Sequence, residues 1–529
     1  MSEIEERLMP RYGENQPITD GAYDRSLAVK CVNGTFVGKR SDDVIAYKGI
    51  PFVGQQPVGN LRWKAPVDVV PSDGVYEAYY YGKTPVQSPG DPASLYPMGE
   101  DCLYLNVWRN EASADVKKPV VVWIYGGAFE VGGTTDPQYD CYNLLKENPD
   151  IIVVTINYRV SFFGFFHLSH LPDGKEYRDA PNLGLMDQMM ALKWVHENIA
   201  GFGGDPANVT IWGESAGGAS TTLLPLIKGS HRYFKRVITQ SGSPGQTRSP
   251  EQAIVCTEKV MEALGCTTVA DLMKVSAEKL AEVWTDLYGF YQKLGIRTFP
   301  ERDGNYLPLD PWKAYEDGAA KDIVFLQGCN KDEMNTFLGV VGVDVWNAWA
   351  EGRLAEKLTQ LTAEEKALVE SYCNSIEGER CEATVRLFSQ IMFIAPQIRL
   401  SEAQAKVGGK SFTYYYTVES SLPMIKSGHA SELSVVFAHP ELNDFTGRAY
   451  DETFCKTMRK MWVQFAKTGN PSLTADQSPD GKAHQWPLYD TVEKQVMVLA
   501  ENDIHLARES ELKIVDWNRT YFLTRYNMP

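Results

Sequence analysis

The chain has 529 residues, 43% hydrophobic and 23% charged, the balance of a globular protein folded throughout and not of a disordered or fibrous one. A formal net charge of −16 without a stripe of clustered Lys and Arg argues against a nucleic-acid partner. Nine scattered cysteines with no CxxC pair signal neither a zinc site nor a disulfide framework, and they suit a reducing cytoplasm.

The first residues, Met1-Ser2-Glu3-Ile4-Glu5-Glu6-Arg7, are acidic and lack the basic start and apolar stretch of a secretory leader, so a cytoplasmic location is expected. Val120-Val121-Val122-Trp123-Ile124 is a β-branched run that predicts a buried strand, followed by the glycine pair of Tyr125-Gly126-Gly127-Ala128-Phe129. Ile151 to Ile156 predicts another strand. These longest apolar stretches fall far short of the ~20 residues of a membrane span, so no membrane partner is expected. Met186, Met189, Met190, Leu192 and Val195 follow helical spacing and predict a crossover helix that stops before Gly201, with the methionines filling core. Strands are predicted again at Val209 to Trp212, Val237 to Thr239 and Ile323 to Leu326. That rhythm of strand and helix implies an α/β fold with a mostly parallel central sheet and helices on both faces. Two long helical regions, about 250–295 and 345–408, interrupt it without a Pro/Ser-rich linker, so they read as insertions on a single domain spanning 1–529.

The chemistry enters at Gly213-Glu214-Ser215-Ala216-Gly217, a G-x-S-x-G pattern after one strand and before a helix-compatible run. A sharp strand-to-helix turn of this kind presents a serine as nucleophile and needs small residues at both flanks. Serine attack on a carbonyl leaves charge on oxygen, which backbone N–H groups already in place must meet. The Tyr125-to-Phe129 loop resembles an HGGG-type oxyanion loop, so Gly127 and Ala128 are candidate donors together with Ala216. In such folds the acid and then the histidine follow the serine along the chain. His231, His429, His439, His484 and His505 all qualify, with His429 favoured by the tight loop that Gly428 permits. Asp332 and Glu333 close the loop after the strand 323–326, at the carboxyl end where sites gather, and Asp303 is a third possible acid.

Taken together, several segments resemble the type-B carboxylesterase and cholinesterase family of the α/β-hydrolase fold. They are Gly49-Ile50-Pro51-Phe52, Glu100-Asp101-Cys102-Leu103-Tyr104-Leu105-Asn106, Asn157-Tyr158-Arg159, Gln240-Ser241-Gly242-Ser243-Pro244, Asn330-Lys331-Asp332-Glu333 and Phe465-Ala466-Lys467-Thr468-Gly469-Asn470-Pro471. The resemblance covers nearly the whole chain. It implies Ser215, Glu333 and His429 as a catalytic triad, and Glu214, Ser241 and Glu432 as groups behind it. It further implies Leu294, Ile296 and Phe337 at the substrate pocket and a structural salt bridge between Arg159 and Asp187. Family disulfides at Cys102 and Cys266 lack their partners here, so both should be free thiols, as in an intracellular, bacterial enzyme. No tryptophan precedes Glu100 where cholinesterases bind choline, and Met334 replaces a family glycine after the acid. The implied activity is ester hydrolysis on a small molecule through an acyl-enzyme, without cofactor or metal. Alternatives are a non-catalytic binding protein of the same fold, or an amidase or lipase using the same triad.

Overall fold

The computed structural model describes residues 13–111, 116–294, 297–359, 361–442 and 445–515, with only the helical backbone described for 288–294. The chain divides into two compact units, one of residues 1–236 and 247–309, the other of 237–246 and 310–529.

Strands of the first unit lie in the order Lys39–Ser41, Val44–Pro51, Tyr104–Asn110, Ile152–Ile156, Lys118–Ile124, Gly204–Glu214. The inner pairs are parallel, with Val154 and Ile211 both in register with Val122, whereas the pairs out to Lys39–Ser41 are antiparallel. Valine and isoleucine occupy both alternating faces of Lys118–Ile124 and Ile152–Ile156, and Val120, Val122, Ile124, Ile152 and Val154 are fully buried. Burial on two sides is what such runs require. A separate sheet of Ala28–Cys31, Gly34–Val37 and Val75–Glu77 has no counterpart in the sequence reading.

The crossover helix spans Leu183–Asn198 and continues as a 3-10 turn, Ile199–Phe202, ended by Gly203 at φ 87°. Gly201 therefore lies inside the turn, and the left-handed stop is Gly203. Its buried face runs through Leu185, Gln188, Ala191, Leu192 and Val195, while Met186, Met189 and Met190 are only half-buried. Gln188 takes the place assigned to methionine, and its amide nitrogen donates to the Ser220 hydroxyl at 3.0 Å, which ties that end of the side chain into the interior. Farther on, the helix Pro250–Leu264 starts on a capping box of Ser249 and Gln252 and ends at Gly265, φ 64°, and a further helix spans Ala277–Leu294.

In the second unit, which takes all but the first residue of the strand Arg236–Gln240, the order is that strand, Val324–Asn330, Lys410–Tyr416, Gln495–Leu499, His505–Arg508, parallel from Val324–Asn330 to Gln495–Leu499 and antiparallel at the last pair. Helices Val343–Thr359, Ala363–Asn374, Arg380–Ser389 and Ala395–Lys406 enclose an apolar cluster that includes Trp346, Leu354, Val385 and Phe388. A π turn, Gln390–Ile394, joins the last two helices.

All nine cysteines are free, Cys102 among the buried ones. Among the described residues no helix is long and apolar enough to cross a membrane.

Candidate active site

Ser215 sits between the strand Gly204–Glu214 and the helix Ala216–Leu223 at φ 55°, ψ −120°. A non-glycine residue in that region is strained by roughly 1–3 kcal/mol and persists only where its surroundings over-determine it. The two glycines explain how. A Cβ on Gly217 would strike the carbonyl oxygen of Ile124, and a Cβ on Gly213 would strike the backbone of Gly217. Ser215 makes no side-chain cap to its own helix and is half-buried, so its hydroxyl is not spent on holding the turn.

The loop after Ile124 is bent by Gly127 at φ 100°, Ala128 at φ 57° and Phe129 at φ 63°. Its tight turn is tied through the Gly127 carbonyl, which accepts from the amides of Glu130 at 2.9 Å and Val131 at 3.0 Å, leaving the Gly127 N–H out of that pair of bonds. The loop lies against the elbow: a Cβ on Gly126 would come 3.0 Å from both the Ser215 Cβ and Glu214 Oε2. Tyr125, where the HGGG pattern has histidine, is locked to Tyr158. Each phenol donates to the other's carbonyl, at 2.7 and 2.9 Å, and the rings stack at 4.3 Å. The Phe129 carbonyl accepts from the Ser161 amide at 2.7 Å. No sequence signal marks the Tyr125–Tyr158 lock, because the two residues are 33 positions apart. Nearby, Asp187 receives Arg159 Nε at 2.8 Å and Nη2 at 2.7 Å, the buried pair that the resemblance implied.

Acid and histidine come together in the second unit. Glu333, wholly buried, places Oε2 2.5 Å from His429 Nδ1, and its Oε1 accepts from the Ser241 hydroxyl at 2.5 Å and the Asn330 amide at 2.7 Å. The His429 amide donates to the Glu333 carbonyl at 3.1 Å, and Thr336 donates to the His429 carbonyl at 3.0 Å. The His429 ring packs against those of Phe393, at 4.8 Å on the π turn, and Phe337, at 5.3 Å. Beneath them Glu432 accepts from Asn330 at 2.6 Å and Gln240 at 2.8 Å. Burial, with the Glu333 charge second, pushes the Glu432 carboxyl above the usual carboxylate range. Asn330, Gln240, Thr336 and Phe393 are partners that the sequence reading did not single out. Only Asn330 and Gln240 lay in segments with family resemblance.

The rival candidates are engaged elsewhere. Asp332 is buried, its amide donates to the Ser427 carbonyl at 2.9 Å, and burial raises its carboxyl against the opposing charges of Lys331, Lys426 and Arg386. Asp303 Oδ1 accepts from the amides of Asn305, Tyr306 and Leu307 and so ties its own loop. His231 contacts the Pro225 carbonyl at 2.8 Å, His439 pairs with Glu441, His484 with Asp480 and His505 with Asp503. Met334 is accommodated as the first residue of the helix Met334–Val341, its amide donating to the Ser389 hydroxyl at 3.0 Å. Phe337 is 39% exposed. Ile296 lies outside the described residues, as does the side chain of Leu294. Among the described residues no group of three His, Cys, Asp or Glu side chains could hold a metal ion.

A profile of the carboxylesterase family matches residues 25–515. The chain is similar to the para-nitrobenzyl esterase of Bacillus subtilis, 33% identical over 90% of this chain and 95% of that one. It is also similar to the cholinesterase of Mus musculus, 31% identical over 90% of this chain and 81% of the other. Among solved structures, a carboxylesterase of Geobacillus stearothermophilus superposes with a TM-score of 0.81 at 32% identity, covering 94% of this chain and 100% of that one. The strand order, the elbow serine and the buried acid-histidine pair thus occur in a chain that belongs to the carboxylesterase family, an α/β-hydrolase-fold serine hydrolase acting on carboxylic esters.

Proposed function

We propose that Ser215 is the nucleophile, His429 its base and Glu333 the acid that orients the imidazole. The reading is carried by one observation: Glu333 Oε2 stands 2.5 Å from His429 Nδ1 while its other oxygen is held by two donors. A carboxylate so fixed keeps the proton on Nδ1, which leaves the Nε2 lone pair to accept the serine proton. As Oγ attacks the ester carbonyl, the N–H groups of Gly127, Ala128 and Ala216 receive the oxyanion. His429 then protonates the leaving alcohol, an acyl-Ser215 forms, and water activated by the same imidazole releases the acid. Glu214, Ser241 and Glu432 act through the positions of these groups.

The substrate is a small ester, with Leu294, Ile296 and Phe337 shaping its pocket, and no preference for choline esters over uncharged ones. The whole chain, 1–529, forms one catalytic domain with helical insertions at about 250–295 and 345–408. Nine free thiols support a cytoplasmic location. Replacing Ser215 with alanine tests the nucleophile: a small side chain fits the elbow, so the expected outcome is a folded protein without measurable hydrolysis of an activated aryl ester. Unchanged turnover would refute the assignment.

A further inference from the structure

The first unit contains a second serine, histidine and glutamate in the order of contacts that a nucleophile requires. His167 Nδ1 lies 2.7 Å from Glu301 Oε2, and His167 Nε2 lies 3.2 Å from the Ser169 hydroxyl. Nothing in the proposed reaction at Ser215 uses these groups. We propose that Ser169, His167 and Glu301 form a second nucleophilic site that takes up activated acyl and phosphonyl groups.

Geometry supports each role. Glu301 is 2% exposed and its backbone is clamped by Asn182, whose side chain accepts from the Glu301 amide at 2.9 Å and donates to the Glu301 carbonyl at 3.0 Å. The strand-like pairing of Arg248 with the same segment fixes it further, through hydrogen bonds from the Arg248 N–H to the Pro300 carbonyl and from the Arg302 N–H to the Arg248 carbonyl. His167 is buried and held through its carbonyl by the Thr257 hydroxyl at 2.6 Å. A carboxylate on Nδ1 keeps that nitrogen protonated, so in the neutral ring Nε2 accepts from Ser169. Ser169 itself is only half-buried and stands beside the exposed His170. Nucleophile and base within hydrogen-bond reach, and a base oriented by a third group, are the general signature of an activated serine.

In the reaction Ser169 Oγ forms a bond to the phosphorus of a fluorophosphonate, the phosphorus–fluorine bond breaks, and fluoride leaves. The serine proton passes to His167 Nε2 and then to solvent. With an activated aryl ester the new bond is to the acyl carbon and the phenolate leaves. Product is a covalently modified Ser169. A base of this kind contributes on the order of 100-fold or more to such a step.

The test uses the full chain with Ser215→Ala, incubated with a fluorophosphonate and digested, and measures adducts on every serine-containing peptide by mass spectrometry. Expected is modification of Ser169 about 100-fold faster than of ordinary exposed serines, lost on adding His167→Gln. The single variant His167→Gln, with Ser215 intact, is assayed for ester hydrolysis as a check that it folds. Should it fail to fold, Glu301→Gln in the Ser215→Ala chain is used in its place, with a fall in the Ser169 rate expected. Modification of Ser169 no faster than of ordinary exposed serines, or a rate that neither His167→Gln nor Glu301→Gln lowers, overturns the proposal without touching the reading of Ser215.

Discussion

At the scale of single residues the choice between two adjacent carboxylates is decided by what each one faces. Glu333 meets His429, Ser241 and the Asn330 amide, whereas Asp332 meets the charges of Lys331, Lys426 and Arg386. Exchanging Glu333 for Gln keeps the size and removes the charge that stabilises the imidazolium, a change expected to lower kcat by about 10⁴ with little effect on KM. Asp332→Asn should leave kcat within a few-fold of the parent, and steady-state kinetics on an aryl ester would distinguish the two. Asp332 also carries a pH prediction. Its carboxyl is raised in the folded chain by burial, so the proton is bound more tightly folded than unfolded. The associated stability is full below the unfolded carboxyl pKa, about 3.9, and is lost as pH rises through the raised folded value. Asp332→Asn removes the buried charge, so its melting temperature should exceed the parent's at neutral pH, with the gap closing in acid. A variant less stable than the parent at neutral pH would show that the neighbouring cations outweigh the burial.

At the scale of elements, the strand-to-helix turn depends on close backbone approach. Because a methyl on Gly217 would run into the Ile124 carbonyl, Gly217→Ala should displace the helix Ala216–Leu223 from the strand Lys118–Ile124. The expected result is loss of turnover and a lowered melting temperature, and parental values for both would contradict the elbow packing. This element was legible in the sequence because the pattern around Ser215 and its place between a strand and a helix are local, although the contact that Gly217 relieves, with Ile124, is not. The crossover helix was less so: its existence and length followed from spacing, yet the interior face went to Gln188 in preference to Met189 and Met190. Hydropathy cannot foresee that a polar amide will find the Ser220 hydroxyl, 32 residues away, once both are buried.

At the scale of the whole molecule the thiols are informative. All nine are free and six, including Cys102, are buried. Burial pushes the Cys31 thiol up to about 12 and the Cys256 thiol up to about 11, so neither is ionised near neutral pH, and the thiolate is the reactive form. A thiol reagent should therefore find only Cys266, Cys373 and Cys455 promptly in the native protein, and all nine after denaturation without reductant. Fewer than nine would reveal a disulfide.

What the sequence determined by itself is whatever short-range chemistry dictates. The β-branched runs became buried strands, Gly213 was required by the turn around Ser215, and the unpaired cysteines stayed free. The residues alone left the acid and the histidine open, and only the resemblance singled out Glu333 and His429. Tertiary structure decided what depends on distance in space. It brought Glu333 to His429 across 96 positions, Tyr125 to Tyr158 across 33, and His167 to Glu301 across 134. Such pairs carry no periodic or local signal, because their partner is fixed by how strands order and loops close and not by the neighbours of either residue. For the same reason the strands from Lys39–Ser41 to Ile152–Ile156, and the last strand His505–Arg508, pair antiparallel although the strand-helix rhythm implied a mostly parallel sheet, since pairing direction is set by the connections between strands.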